Sequence, residues 1–129
     1  MSTMQTRSFE KADETRRLPK TNIEVLNFGD LSLMKVSFEP GWRWSEHVKP
    51  TVGTASCAVP HFNYGLSGRL HVRMDDGTET EIGPGEVMLL PPGHDAWVVG
   101  DEPFVGLDFQ GAQLYGKARE ASNVGVKSQ

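Results

Sequence analysis

An all-β sandwich or barrel is the fold class this sequence predicts, and three observations carry it. Fourteen glycines and eight prolines punctuate 129 residues, so turns must be frequent. Between them lie short apolar segments, several with the period-two alternation of half-buried strands. No long amphipathic helix is available to cover an open sheet, so closing or doubling the sheet answers the problem of its free edges.

The elements follow in order. Residues 1–20 read as a polar N-terminal arm, with one helical turn possible around Phe9. Asn22 to Phe28 reads as a strand and Gly29-Asp30 as its turn. Leu31 to Phe38 returns, alternating at Met34, Val36 and Phe38. After Pro40-Gly41, the aromatic-rich stretch Trp42 to Val48 is again strand-like. Pro50 to Pro60 breaks the rhythm and reads mostly as a loop. His61 to Leu66 and Gly68 to Met74 form two strands bent at Ser67-Gly68. Asp75-Asp76-Gly77 supplies the positive φ of a tight hairpin, and Thr78 to Ile82 is its return. Val87 to Leu90 is a short apolar strand between Gly83-Pro84-Gly85 and Pro91-Pro92-Gly93. Ala96 to Val99 and Phe104 to Phe109 are the last strands. The barrel thus spans residues 21–111. Residues 112–129 form a polar tail, compatible with a short helix over Ala112 to Ala121. Eight or nine short strands of this kind make one all-β domain.

Composition narrows the function classes. Hydrophobic residues are 37% and charged residues 23%, a globular composition. No apolar run approaches the ~20 residues of a membrane-spanning helix, and the N-terminus lacks a signal-type apolar core. Thirteen basic against seventeen acidic residues leave a net charge of −4, which argues against a nucleic-acid partner. The single Cys57 excludes an internal disulfide and fits a reducing cytoplasm.

Strand alternation assigns faces to the residues that could do chemistry. On a strand from Trp42 to Lys49, Arg43, Ser45, His47 and Lys49 share one face, while Trp42, Trp44, Glu46 and Val48 share the other. On the Gly68 strand, Leu70, Val72 and Met74 face inward, which sends His71 to the surface. The pairs Asp75-Asp76 and Asp101-Glu102 belong to turns. Neither a phosphate-binding loop nor a nucleophile elbow is present.

The spacing of glycines, prolines and histidines resembles the cupin superfamily, small β-barrels with two motifs and usually one metal inside. Gly41 is followed after five residues by His47, as in the first motif, and Lys49 stands at the second histidine position. His61, six residues before Gly68, stands where the family has glutamate. Gly85, Pro91 and Gly93 fit the second motif. Ala96 stands at its histidine position, with His94 two residues earlier on the same strand face. The resemblance runs from Gly41 to Asp108. It implies a double-stranded β-helix, or jelly-roll barrel, and a homodimer.

The resemblance also implies a divalent transition metal in the barrel, for which His47, His61 and His94 offer three imidazoles; the alternative is that His47 and His61 are hydrogen-bonded pocket histidines and His94 caps a turn. Cys57 is either a fourth ligand or a buried small hydrophobe. Three imidazoles suit zinc first, with iron, nickel, copper or manganese as alternatives, and a thiolate favours zinc. Lys49 is either an inward catalytic or substrate-binding amine or a solvated rim residue. Arg43 would contact an anionic substrate or pair with a buried carboxylate such as Asp108. Trp42, Trp44 and Trp97 are expected in the core or at an interface. Two readings of function follow. One is a metal-binding cupin that binds or transforms a small polar or anionic molecule in the barrel. The other is a non-catalytic ligand-sensing module, with or without a metal.

Overall fold

The computed structural model describes residues 3–112. A 3₁₀ turn (Phe9–Lys11), expected from the sequence, precedes nine strands and two single-turn α-helices in the order β1 (Glu14–Leu18), β2 (Thr21–Phe28), β3 (Leu31–Phe38), α1 (Trp44–His47), α2 (Lys49–Val52), β4 (His61–Ser67), β5 (Arg69–Met74), β6 (Glu79–Ile82), β7 (Val87–Leu90), β8 (His94–Val99) and β9 (Phe104–Asp108). They make two antiparallel sheets, one of six strands in the order β1-β2-β3-β9-β4-β7 and one of three in the order β6-β5-β8. The sequence expectation of an all-β jelly roll is met.

The alternation that predicted these strands is the alternation that buries them. Ile23 and Val25 on β2, Met34, Val36 and Phe38 on β3, and Leu70 and Val72 on β5 point between the sheets. Phe104 on β9 and Ala96 and Val98 on β8 complete that core. Burial of this set at roughly 25 cal/mol per Å² is the main term holding the sheets together. One residue, Gly68, separates β4 in the large sheet from β5 in the small one. Its φ of +75° and the Pro103 backbone, which occupies the place of a Cβ, make glycine the residue for that crossing.

Two segments differ from the sequence reading. The stretch read as a polar arm contains β1, which pairs along its whole length with β2 and puts Arg16 in the interior. The stretch read as a strand from Trp42 to Val48 is instead α1 running into α2. The cause is tertiary. Asp95, on β8, accepts the Ser45 backbone N–H at 3.1 Å and so caps a helix whose own N-cap residue, Arg43, gives no side-chain bond. Pro50 then fits the first turn of α2. Trp42, ahead of α1, and Trp44 and Val48, four residues apart along it, are buried. Trp42 stacks on Phe38 at 3.8 Å and donates its indole N–H to Thr21 Oγ1 at 2.8 Å. The proposed tail helix over Ala112 to Ala121 lies, after Ala112, outside the described residues.

Candidate metal centre

Three segments converge at one end of the barrel. His61 opens β4 and His94 opens β8; each is the first inward position of its strand, and both are buried. Cys57 sits in the preceding loop. Its N–H donates to the His94 carbonyl at 2.8 Å, and its own carbonyl accepts the Gly93 N–H at 2.7 Å. That short bridge holds the loop against β8 and leaves the thiol 2% exposed. One ligand atom of each of Cys57, His61 and His94 lies within 4.8 Å of those of the other two. Cys57 Sγ is 3.6 Å from His61 Nε2.

The outer nitrogens of both rings are occupied. His61 Nδ1 bonds Asp108 Oδ2 at short range. His94 Nδ1 lies 2.8 Å from the Pro91 carbonyl, which can only accept, so that nitrogen carries the proton. Asp108 is itself fixed, because its Oδ1 accepts the backbone N–H groups of Phe62 (3.2 Å), Gln110 (2.9 Å) and Gly111 (3.1 Å). With Nδ1 of each ring hydrogen-bonded in this way, Nε2 is the nitrogen that remains to act as a ligand beside Cys57, and that of His61 already lies 3.6 Å from the thiol. A carboxylate or carbonyl that fixes a ligand imidazole in this way is the usual support of a metal-binding histidine.

The electrostatics of the metal-free site are unfavourable by themselves. Burial pushes the Cys57 thiol from 9.0 up to about 12, with Asp108 and Asp95 adding to it. Burial, and after it the neighbouring His61 ring, push His94 from 6.5 down to about 4. Burial also acts against the Asp108 carboxylate, but the His61 hydrogen bond and charge, with the backbone donors, outweigh it and hold Asp108 below its ordinary 3.8. A divalent cation would balance one thiolate and one carboxylate and reverse the cost of ionising the thiol. The geometry also fits. Zn–S of ~2.3 Å and Zn–N of ~2.0–2.1 Å at the tetrahedral angle separate S and N by roughly 3.5–3.6 Å. The Cys57–His61 spacing already has that length. A set of one thiolate and two imidazoles, supported by Asp108, leaves a fourth position for water.

The other residues singled out in the sequence lie elsewhere. His47 ends α1 and its Nδ1 is engaged by the backbone of Arg43, at 3.0 Å from N and 3.1 Å from O, outside the convergent group. Arg43 stacks over Trp97 at 4.1 Å and pairs with Asp95 at 3.3 Å, so its carboxylate partner is Asp95 rather than Asp108. Lys49 is exposed at the start of α2. The helical course of this segment turns these three away from the interior. His71 bridges Glu79 and Glu81 on the outer face and stacks on Trp97. Both carboxylates raise its pKa, Glu81 first. Asp108, which the sequence reading took only as a possible partner of Arg43, is a central member of the site. Its signal was present: Phe104, Gly106 and Asp108 share one face of β9, so a carboxylate occupies a core position.

Next to these ligands is a cavity of about 30 Å³, walled largely by Phe38, Trp42, Trp44, Leu90 and Phe104, with Asn63 and the histidines at its polar end. Room for one water needs ~10–15 Å³, so this space accommodates roughly two waters. No lysine or arginine lines it among the described residues.

Comparison with solved structures agrees with this architecture. An RmlC-like cupin from Shewanella frigidimarina superposes with a TM-score of 0.60 at 19% identity, over 87% of this chain and 95% of that one. The polyketide cyclase RemF from Streptomyces resistomycificus gives 0.60 at 19% identity, over 84% and 79%. KdgF from a Halomonas species gives 0.57 at 18% identity, over 84% and 97%. The chain therefore has the cupin fold. No family model matches the sequence, and no curated protein does. Among the described residues no helix is long and apolar enough to cross a membrane.

Proposed function

We propose that this protein is a small metal-dependent cupin whose Cys57, His61 and His94 hold a divalent transition metal, zinc first, in order to bind or transform a small polar molecule. The observation that carries the reading is the convergence of three buried donors of which both imidazoles have Nδ1 already engaged. The bound metal would supply Lewis acidity or an acidified water at the fourth position. An anionic ligand would be neutralised by that metal, because Arg43 and Lys49 stand outside the cavity. Asp108 orients His61, and the aromatic walls exclude water from the ligand's apolar part.

A nucleophilic reading of the same atoms is weaker. Cys57, His61 and Asp108 are in the sequence of contacts of a Cys-His-Asp triad. A thiol that is 2% exposed with a pKa of about 12 is not an activated nucleophile. A sensing role without catalysis is favoured by one observation, the small volume beside the ligands.

The same reading takes the protein as a homodimer. The outer face of β4 and β7 exposes Phe62, Tyr64, Val87 and Leu89, cross-strand neighbours by register, with Phe109 beside Phe62. Among the described residues β7 is also an edge strand, so a second copy can cover the apolar face and the edge together.

Elemental analysis and cobalt substitution test the metal. One equivalent of metal, and a thiolate-to-cobalt absorption that Cys57→Ser abolishes, are the expected results. A protein that takes up no zinc or cobalt on reconstitution overturns the reading.

A further inference from the structure

Cys57, His61 and His94 are buried, and among the described residues the two segments that cover them are not equivalent. The loop before β4 contributes Cys57 and is tied to β8 by two backbone hydrogen bonds, so lifting it dismantles the ligand set. The other cover is the chain just past β9. Phe109 N–H donates to the Phe62 carbonyl at 3.0 Å, and Gln110 and Gly111 donate to Asp108 Oδ1. Gly111 packs so closely that a Cβ there would collide with Asp108 Oδ2 and His61 Nδ1. This segment therefore lies directly on the His61–Asp108 pair but contributes no ligand.

Among the described residues, Arg16 holds this segment at Ala112. From β1, at the opposite edge of the large sheet from β7, this 8% exposed side chain donates from Nη2 to the Ala112 carbonyl at 2.7 Å. Its Nε donates to Glu14 at 2.7 Å, which fixes the guanidinium for that reach. The buried guanidinium is thus charge-paired with Glu14 on its own strand and also bonded to a carbonyl of the segment past β9, which ties that segment to β1.

We infer that residues 109–112 form a strap over the barrel mouth, latched by Arg16, and that release of the latch admits metal and small molecules to the site. The strap carries none of the three ligands, so it can lift with Cys57, His61 and His94 still in place on the barrel, although Asp108 gives up its Gln110 and Gly111 donors as it does so. Its purpose rests on the metal-site reading; its existence does not.

Cys57 is the only cysteine in the chain, which makes it a reporter of strap opening. Metal-free wild type, Arg16→Met and Arg16→Lys are treated with an aromatic disulfide thiol reagent under native conditions, with Arg73→Met, from an exposed ion pair, as control. Global stability is measured in parallel by denaturant unfolding. Loss of a charged hydrogen bond predicts that Arg16→Met speeds Cys57 modification by about tenfold or more through a local opening, insensitive to low denaturant. Arg16→Lys falls between, and carries the test should the methionine variant fail to fold. In zinc-loaded protein the same variants release metal to excess chelator faster by a similar factor. Wild-type modification rates in folded Arg16 variants overturn the latch, as does an increase wholly accounted for by lower global stability. A protein that binds no zinc overturns the metal reading instead and leaves the thiol measurement to decide the strap.

Discussion

Replacing Asp108 by asparagine is the sharpest test of how the site is organised, because the substitution conserves shape and removes one charge. The aspartate accepts at both oxygens: one from His61 Nδ1 and one from the backbone N–H groups of Phe62, Gln110 and Gly111. An amide can accept with only one end. If its oxygen faces His61, the NH₂ meets three backbone donors, and leaving such buried donors unsatisfied costs on the order of 2–3 kcal/mol of folding stability. If its NH₂ faces His61, the ring must accept at Nδ1. The proton then moves to Nε2, which removes the lone pair directed at the site. Either orientation weakens metal binding, and loss of such a supporting carboxylate corresponds to about 10–100-fold in Kd, or ~1.4–2.8 kcal/mol. The assay is zinc competition against a chromophoric chelator at neutral pH, paired with denaturant unfolding of the metal-free variant. A Kd within about twofold of wild type, with metal-free stability within ~0.5 kcal/mol, would refute the role assigned to Asp108.

Three further outcomes are expected. His61→Ala and His94→Ala should abolish stoichiometric metal binding while His47→Ala retains it, read by elemental analysis after desalting; loss of metal in His47→Ala contradicts the assignment. Because His94 falls from 6.5 to about 4 on folding, the unfolded chain binds the extra proton in that window. The metal-free protein should therefore lose up to ~3 kcal/mol as pH drops from 6.5 towards 4. Cys57, raised from 9.0 to about 12, gives the opposite limb: stability falls as pH rises from 9 towards 12, and Cys57→Ser flattens that limb in urea titrations at each pH. Leu89→Arg, at a position 73% exposed on β7, should convert a dimer to a monomer in sedimentation analysis without lowering monomer stability. An unchanged sedimentation coefficient removes that face from consideration.

The fold was legible because its turns are written in glycine and proline. Gly68, Gly77, Gly85 and Gly93 all have positive φ, and strands end beside them. His61, His94 and Cys57 were legible as residues worth collecting, since two of them head strands and the third precedes one. The segment after Gly41 was not. Its alternating aromatics obey strand periodicity locally, yet Asp95, fifty residues on, supplies the helix cap, and no local pattern announces that contact. The misassigned geometry carried Arg43 and His47 inward with it, while Lys49 takes the rim position that the sequence had left open. Arg16 was hidden for a related reason: a charged residue in a polar stretch gives no sign that its strand will pair with β2 and bury it.

The site joins the two sheets. His61 belongs to the six-stranded sheet, His94 to the three-stranded one, and the Cys57 loop is fastened to the latter. An ion bound by all three is a rivet through the sandwich, resisting the separation of layers by which such a domain comes apart. Free metal at a hundredfold over Kd would add about 2.7 kcal/mol to unfolding. Proteolysis that acts on the opened chain would slow accordingly. The lifetime of the polypeptide would then track metal supply, so that its abundance, as well as any chemistry in its barrel, becomes a readout of how much metal is at hand.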